Sequence, residues 1–356
     1  GLLAGADVTV ICVPTPLADH EPDLSFVRAA ATKVAKHLRP GTLVVLESTT
    51  YPGTTEEELR PILETSGLVA GVDFALAYAP ERIDPGRETA HVVTTPRVVG
   101  GIGPRSTEVA AAFYRTLVNE VITVRSPREA EMAKIIENTF RHVNIGLMNE
   151  LAMLSRDLGV DIWEAIGAAA TKPFGYMAFW PGPGVGGHCI AIDPSYLSWR
   201  VGQRLGHRPR FIEHAQEVNA KMPAYVAGRI GEALNAHGKA LRKAKVLVLG
   251  LTYKADVNDI RESPAVVVVE RLLKSGATIS YHDPFVPDIR IGTRKLSSVK
   301  LTPAALERAD CVVILTPHSA VDYADVVARS QLVFDARGVT RGLAPKSAAP
   351  KNVVLL

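Results

Sequence analysis

Two stretches of this chain lie 303 positions apart, from Ala6 to Ala309, and carry one pattern. "ADVTVICVPTP" (Ala6 to Pro16) and "ADCVVILTPH" (Ala309 to His318) each open on Ala-Asp, continue as a β-branched apolar run and close on proline. Short apolar runs closed this way read as strands of a parallel sheet, buried on both faces. Cys12 and Cys311 fall inside the runs, so both are expected as inert core residues. The second half also holds what should precede such a strand. "KVLVLGLTYK" (Lys245 to Lys254) reads as a strand entering a glycine turn. "SPAVVVVERLLKSG" (Ser263 to Gly276) reads as a helix stopped by Gly276, and "ATISYHDP" (Ala277 to Pro284) as a strand ending in an acid. Strand, helix, strand is the opening unit of a doubly wound nucleotide-binding fold. The first half has no such unit. Subtracting 303 from 245 gives −58, ahead of Gly1, so the expectation is a first domain truncated at its N-terminus by roughly 60 residues or more.

Between the halves the pattern is helical. "SPRE" (Ser126 to Glu129) is a capping box with proline at the first helical position, and the periodic run continues to Gly159. "DIWE" (Asp161 to Glu164) starts another helix. The expected architecture is α/β, with two Rossmann-like doubly wound domains joined by a long central helix. The boundaries are 1–125 for the first domain, 126–225 for the helical one and 226–356 for the last. The central helices are expected to join a homodimer or a higher homo-oligomer.

Composition narrows the classes. Hydrophobic residues are 47% and charged residues 22% of 356, enough for a large core. The net charge of +3 makes no case for nucleic acid or a membrane surface. Three cysteines imply no disulfide framework and fit a reducing, cytoplasmic setting. No apolar run approaches the roughly 18 residues of a membrane span.

The chemistry gathers around "PGPGVGGHCIAIDP" (Pro181 to Pro194). Cys189 follows Gly182, Gly184, Gly186 and Gly187, adjoins His188, and stands where a helix begins. Helix N-termini and nearby cations lower a thiol pKa and favour the nucleophilic thiolate; the alternative is a small core residue. Asp193 reads as the N-cap of a helix with Pro194 at its first position, ending at Gly206, with a catalytic role compatible. Lys134 and Asn138, four apart, share one helix face, which is either functional or simply solvated. Ser48 and Thr49 lie in "LESTTYPGTTEE" (Leu46 to Glu57), a strand and a hydroxyl-rich turn. Glu81 and Arg82 follow another short strand in "YAPERIDPG" (Tyr78 to Gly86), with a surface salt bridge as the plain alternative. "GLTYKADVNDIRESP" (Gly250 to Pro264) suits a mononucleotide through Lys254 and a helix N-terminus. Arg337 in "FDARG" is well placed for phosphate.

Six motifs in order, "CVPTP", "ESTTYPGTTEE", "PERIDPG", "EMAKIIENTFRHVNIGLMNE", "PGPGVGGHCIAIDP" and "GLTYKADVNDIRESP", resemble the UDP-glucose/GDP-mannose dehydrogenase family over nearly the whole chain. The resemblance implies an NAD-binding domain, a helical dimerisation domain and a UDP-binding domain. It implies oxidation of a sugar C6 alcohol to a carboxylate with reduction of two NAD⁺. By resemblance, Cys189 forms a thiohemiacetal and then a thioester. Lys134 stabilises the oxyanion and Asn138 orients it. Asp193 and Glu81 handle protons and the hydrolytic water, and Thr49 holds a water. The first-step base is left between Lys134 and an Asp193-bound water. Thr15, Ser48, Thr49 and Arg261 approach NAD. Glu81, Arg82, Lys134, Asn138, Gly184, Gly186, Gly187, Tyr253, Lys254 and Arg337 approach the UDP-sugar. No metal is implied.

Two departures stand out. The first domain carries neither a G-x-G-x-x-G turn nor an acidic ribose ligand. "TKPFGYMAFW" (Thr171 to Trp180) lacks the arginine that many members lend to a neighbouring subunit. His188 and Ile192, where glucose-specific members carry serine and lysine, resemble the branch acting on UDP-N-acetylhexosamines. UDP-N-acetylglucosamine is the preferred reading, then UDP-N-acetylmannosamine or UDP-glucose. The alternatives from other classes are a two-electron hydroxyacid dehydrogenase, a non-catalytic UDP-sugar binder and a thiolase-like acyl transferase.

Overall fold

Five short apolar strands build the first sheet: β1 (Val8–Ile11), β2 (Leu43–Leu46), β3 (Ala75–Tyr78), β4 (Arg97–Gly101) and β5 (Val121–Thr123), in that spatial order. The structure, a computed structural model, describes residues 2–18, 21–83, 92–343 and 350–356, and at Leu2, His188 and Cys189 the backbone alone. β1, β2 and β3 run parallel, β3 and β4 antiparallel, and β4 and β5 parallel. β2 and β3 are buried at every residue, as strands covered on both faces must be. The helix Ser25–Ala35 buries Val27, Ala31, Val34 and Ala35, an apolar stripe at i, i+4, i+7 and i+8. The helix Gly103–Arg115 buries Ala110 and Tyr114 against Val45, Ala77 and Val99.

β1 departs from expectation. It pairs only with β2 among the described residues, and Val10 is 37% exposed. Cys12, expected in the core, is exposed just beyond it, with its thiol 3.2 Å from the Glu47 carboxylate. An apolar pattern marks a strand but not how many faces are covered. Cys311 is fully buried, as expected.

The second sheet is β6 (Lys245–Leu249), β7 (Thr278–His282), β8 (Cys311–Ile314), β9 (Val333–Asp335) and β10 (Val353–Leu355). All neighbours are parallel, and the spatial order is β10-β9-β8-β6-β7. Strand order reverses between β6 and β8, so a doubly wound sheet opens its ligand crevice there, beyond the carboxyl ends. One face packs Val246, Val248 and Val313 with Val268, Val269 and Leu272 of the helix Pro264–Lys274 and Met222, Val226 and Ile230 of the helix Arg210–Ala236. The other packs Leu247, Leu249, Val312 and Ile314 with Leu306 and Val326. Each such side chain contributes about 1.5–3 kcal/mol when fully buried.

The central helix runs Pro127–Asp157. Ser126 accepts the Arg128 amide at 3.2 Å and donates to the Glu129 carboxylate, so the serine and glutamate read as a capping box meet at this helix start. Gly159, at φ +68, follows its end, and Asp161 caps the helix Ile162–Ala169 by accepting the Glu164 amide. The chain divides into two compact units, Gly1–Phe140 with Ile192–Ile212, and Arg141–Ala191 with Glu213–Leu356. No helix of the described residues is long and apolar enough to cross a membrane.

Candidate active site

In the first unit, Lys134 and Asn138 are 8% and 6% exposed, which overturns the solvated-face alternative. Asp193 is 2% exposed, and the Asn138 amide donates to its Oδ2 at 2.5 Å. Burial pushes the Asp193 carboxyl up to about 7, against the opposing pull of the Asn138 hydrogen bond and the Lys134 charge. A carboxyl near neutrality is suited to exchange protons at physiological pH.

Asp193 is not an N-cap. The helix begins at His188, directly after Gly187 at φ +85, and runs to Leu205 with Pro194 inside it. Proline there removes one helical hydrogen bond, to the Ile190 carbonyl. Burial of Ile192 and Tyr196 in the first unit's core offsets that loss. The proline was the misleading signal, because tertiary burial and not the local boundary rule sets this helix start.

Glu81 is held from both sides. Its Oε1 accepts the amides of Arg82 and Ile83 at 2.6 and 2.7 Å, and its Oε2 accepts Arg97 at 3.0 Å. Arg97 is 6% exposed, donates to the Pro80 carbonyl at 2.8 Å and lies over the Tyr114 ring. The pair is therefore no ordinary surface salt bridge, although Glu81 itself remains 44% exposed. Arg82 is bound to Glu137 at 2.5 Å and to the Pro96 carbonyl.

Thr15, Ser48 and Thr49 lie just beyond the carboxyl ends of β1 and β2. The Ser48 hydroxyl donates to the Val13 carbonyl and accepts its amide, and the Thr15 hydroxyl donates to the Thr49 carbonyl at 2.8 Å. These loops fit one side of a dinucleotide site, since doubly wound sheets bind such ligands at strand ends. Glu131, not singled out from the sequence, is fully buried and accepts the amides of Gly53 and Thr55 and the Thr55 hydroxyl. Burial raises its carboxyl to about 7. The Thr55 hydroxyl of the turn thus binds a carboxylate distant in sequence. Glu131 lies one turn before Lys134, the only sequence hint of its importance.

In the second unit the glycine loop is shaped by close approach. A Cβ at Gly182 would collide with the Arg337 guanidinium. At Gly186 it would come within 2.6 Å of the Glu262 carbonyl, and at Gly187 within 2.8 Å of the Tyr253 ring. Gly184, at φ +133, faces the Asn219 carbonyl and Pro264. The Gly187 amide donates to the Arg261 carbonyl at 3.2 Å. Arg261 is itself bound to Asp259 through its Nε and Nη2. Lys254 and Tyr253 are half-buried in the turn after β6, and burial lowers the Arg337 pKa. Beneath the loop, Asn149 accepts the Gly182 amide and donates to Asn219, which donates to the His142 carbonyl. Neither asparagine was expected; nothing in an isolated asparagine marks it as buried. Cys189, the proposed nucleophile, is in the first turn of its helix, and its side chain lies outside the described residues.

Three profiles of the UDP-glucose/GDP-mannose dehydrogenase family match in order: the NAD-binding domain at residues 2–118, the central domain at 128–221 and the UDP-binding domain at 247–342. A UDP-N-acetyl-D-mannosamine dehydrogenase of Pyrococcus horikoshii is 38% identical over 344 residues, 95% of this chain and 79% of that protein. One from Escherichia coli K12 is 37% identical, over 94% and 82%. The solved Pyrococcus horikoshii UDP-D-ManNAc dehydrogenase superposes with a TM-score of 0.85 at 35% identity, over 99% of this chain and 80% of that one. The chain belongs to the UDP-glucose/GDP-mannose dehydrogenase family, as an NAD-dependent UDP-sugar dehydrogenase.

Proposed function

We propose that this protein oxidises the C6 alcohol of a UDP-N-acetylhexosamine to the carboxylate through Cys189, in the supply of uronic acids for surface polysaccharide. The observation that carries the reading is Asp193. It is a buried acid brought near neutrality and bonded to Asn138, on the same helix as Cys189. Bound NAD supplies the hydride acceptor. Thr15, Ser48, Thr49 and Arg261 are the residues assigned to it. The first oxidation takes a hydride from C6 and a proton from its hydroxyl, leaving an aldehyde. The Cys189 sulfur bonds to that carbon as a thiohemiacetal. Loss of a second hydride from C6 gives a thioester. Water then adds, the carbon–sulfur bond breaks, and carboxylate and thiol are released. One alcohol, two NAD⁺ and one water become one carboxylate, two NADH and three protons.

Lys134 offsets the charge that develops on the C6 oxygen. Asp193 and Glu81 exchange the protons, Asn138 fixes the Asp193 carboxylate, and Thr49 holds the water. Gly184, Gly186, Gly187, Tyr253, Lys254 and Arg337 receive the UDP-sugar. The names of the similar proteins favour UDP-N-acetylmannosamine as the first substrate to test, ahead of the UDP-N-acetylglucosamine read from "GGHCIAIDP". A panel of these two sugars and UDP-glucose, counting NADH per sugar, tests the reading. Two NADH from an N-acetylhexosamine are expected; one NADH, or turnover of UDP-glucose alone, would sink it. Exposed Ile136, Phe140, Leu147 and Leu154 along the central helix support a homodimer, which light scattering on the same sample checks.

A further inference from the structure

At the switch point of the second sheet, three loops meet after adjacent strands: Gly250–Asp256 after β6, Asp283 after β7 and His318 after β8. His318 is 1% exposed and Asp283 2%. The His318 Nδ1 accepts the Asp256 amide at 3.1 Å, so the ring proton sits on Nε2. That nitrogen faces Asp283 Oδ2 at 3.1 Å. The same carboxylate oxygen accepts the amides of Leu251 and Thr252 at 2.6 and 3.3 Å. Thr316 donates to the Thr252 carbonyl at 2.6 Å, and Phe285 lies against the imidazole. Asp256 and Asp283 are the acids facing the ring. The turn is strained at Asp256, at φ 60, and tight at Gly250, whose Cβ would strike the Thr316 backbone. Between these two anchors lie Tyr253 and Lys254, and the Tyr253 ring is the surface on which Gly187 closes.

We propose that His318, held by Asp283, is a positioning residue that fixes the Tyr253–Lys254 turn for the UDP moiety. The inference rests on assigning that turn to UDP, and not on which sugar is oxidised or on the cysteine chemistry. The two ring nitrogens have unequal tasks, because Asp283 still accepts the Leu251 and Thr252 amides when Nε2–H is lost. The Nδ1 lone pair holds Asp256 in its left-handed conformation, and Nε2–H orients the carboxylate that holds Leu251 and Thr252. No lysine, arginine or apolar residue can do both.

The test measures UDP binding by calorimetry on the full chain. An asparagine oxygen can replace the Nδ1 acceptor, whereas a glutamine amide reaches Asp283 but not the Asp256 amide. His318→Phe and His318→Gln should weaken UDP about tenfold or more, and His318→Asn by less than about threefold. In turnover, KM for the UDP-sugar should rise in the first two variants, while kcat and the KM for NAD stay within about threefold. If His318→Phe does not fold, the asparagine and glutamine variants decide. Equal UDP affinity for those two overturns the proposal, as does an unchanged affinity in His318→Phe. Because UDP carries no sugar, loss of the substrate assignment leaves this result readable.

Discussion

The residues proposed for function differ in material between the two units. The first uses side chains: Lys134, Asn138, Asp193, Glu81 and Glu131, buried or gripped by buried partners, with two carboxyls raised toward neutrality. The second uses backbone: glycines packed on Tyr253, Pro264 and Arg337 without room for a methyl group. A cluster of buried acids is sensitive to proton occupancy, whereas a glycine loop is sensitive to volume and to φ. Changes in the first should therefore appear in pH dependence, and changes in the second in binding and geometry.

The largest expected effect comes from the loop's cysteine. Cys189→Ser should lower formation of the carboxylate by about 10³-fold or more, because a hydroxyl is a far weaker nucleophile than a thiolate. Product at wild-type rate, measured by mass spectrometry, would overturn the covalent route. The same thiol should be the one alkylated at neutral pH. Cys12, though exposed, is pushed up to about 12 by partial burial and by Glu47, and Cys311 reaches about 12 by burial. Next in size, Gly187→Ala places a methyl group against the Tyr253 ring at φ +85. It should cost about tenfold or more in kcat/KM for the UDP-sugar. Gly206, at φ +70 with nothing nearby, separates the causes: Gly206→Ala should lower stability by about 1 kcal/mol and leave kcat/KM unchanged. Equal kinetic losses in the two variants would mean that φ alone, not the Tyr253 contact, matters.

The smallest effect is in the first unit's stability. The folded Asp193 carboxyl titrates near 7, above the 3.8 of an ordinary aspartate, and Glu131 is raised from 4.5 in the same sense. Between about pH 4 and 7 the folded state keeps protons that the unfolded state has lost, so stability falls as pH rises through this window. Asp193→Asn removes one such group. Its melting temperature should drop less between pH 5 and pH 8 than the wild type's, by a few degrees. An identical drop would show that Asp193 ionises normally in the folded protein.

How much of this was legible depended on the range of each interaction. Strands, glycine stops and the capping box of the central helix are local, and their residues sit where period and turn chemistry place them. The six motifs carried the family. Pro194 misled because a local boundary rule met a helix held by burial of Ile192 and Tyr196. Cys12 misled because an apolar run does not say how many faces are covered. Arg97, Asn149, Asn219 and His318 gave no signal, and Glu131 only its place one turn before Lys134, because their partners lie far away in sequence.

Alone, the sequence determined the periodic elements, the chemistry available at Cys189, Lys134 and Asp193, and the positions where only glycine avoids strain. Only the tertiary structure decided which acids are stripped of water, and so which hold their protons near neutrality. It also decided which buried residues, His318 with Asp283 among them, brace the turns that meet the ligand. Desolvation and long-range hydrogen bonding arise when distant segments pack together, and no short stretch of chain encodes either one.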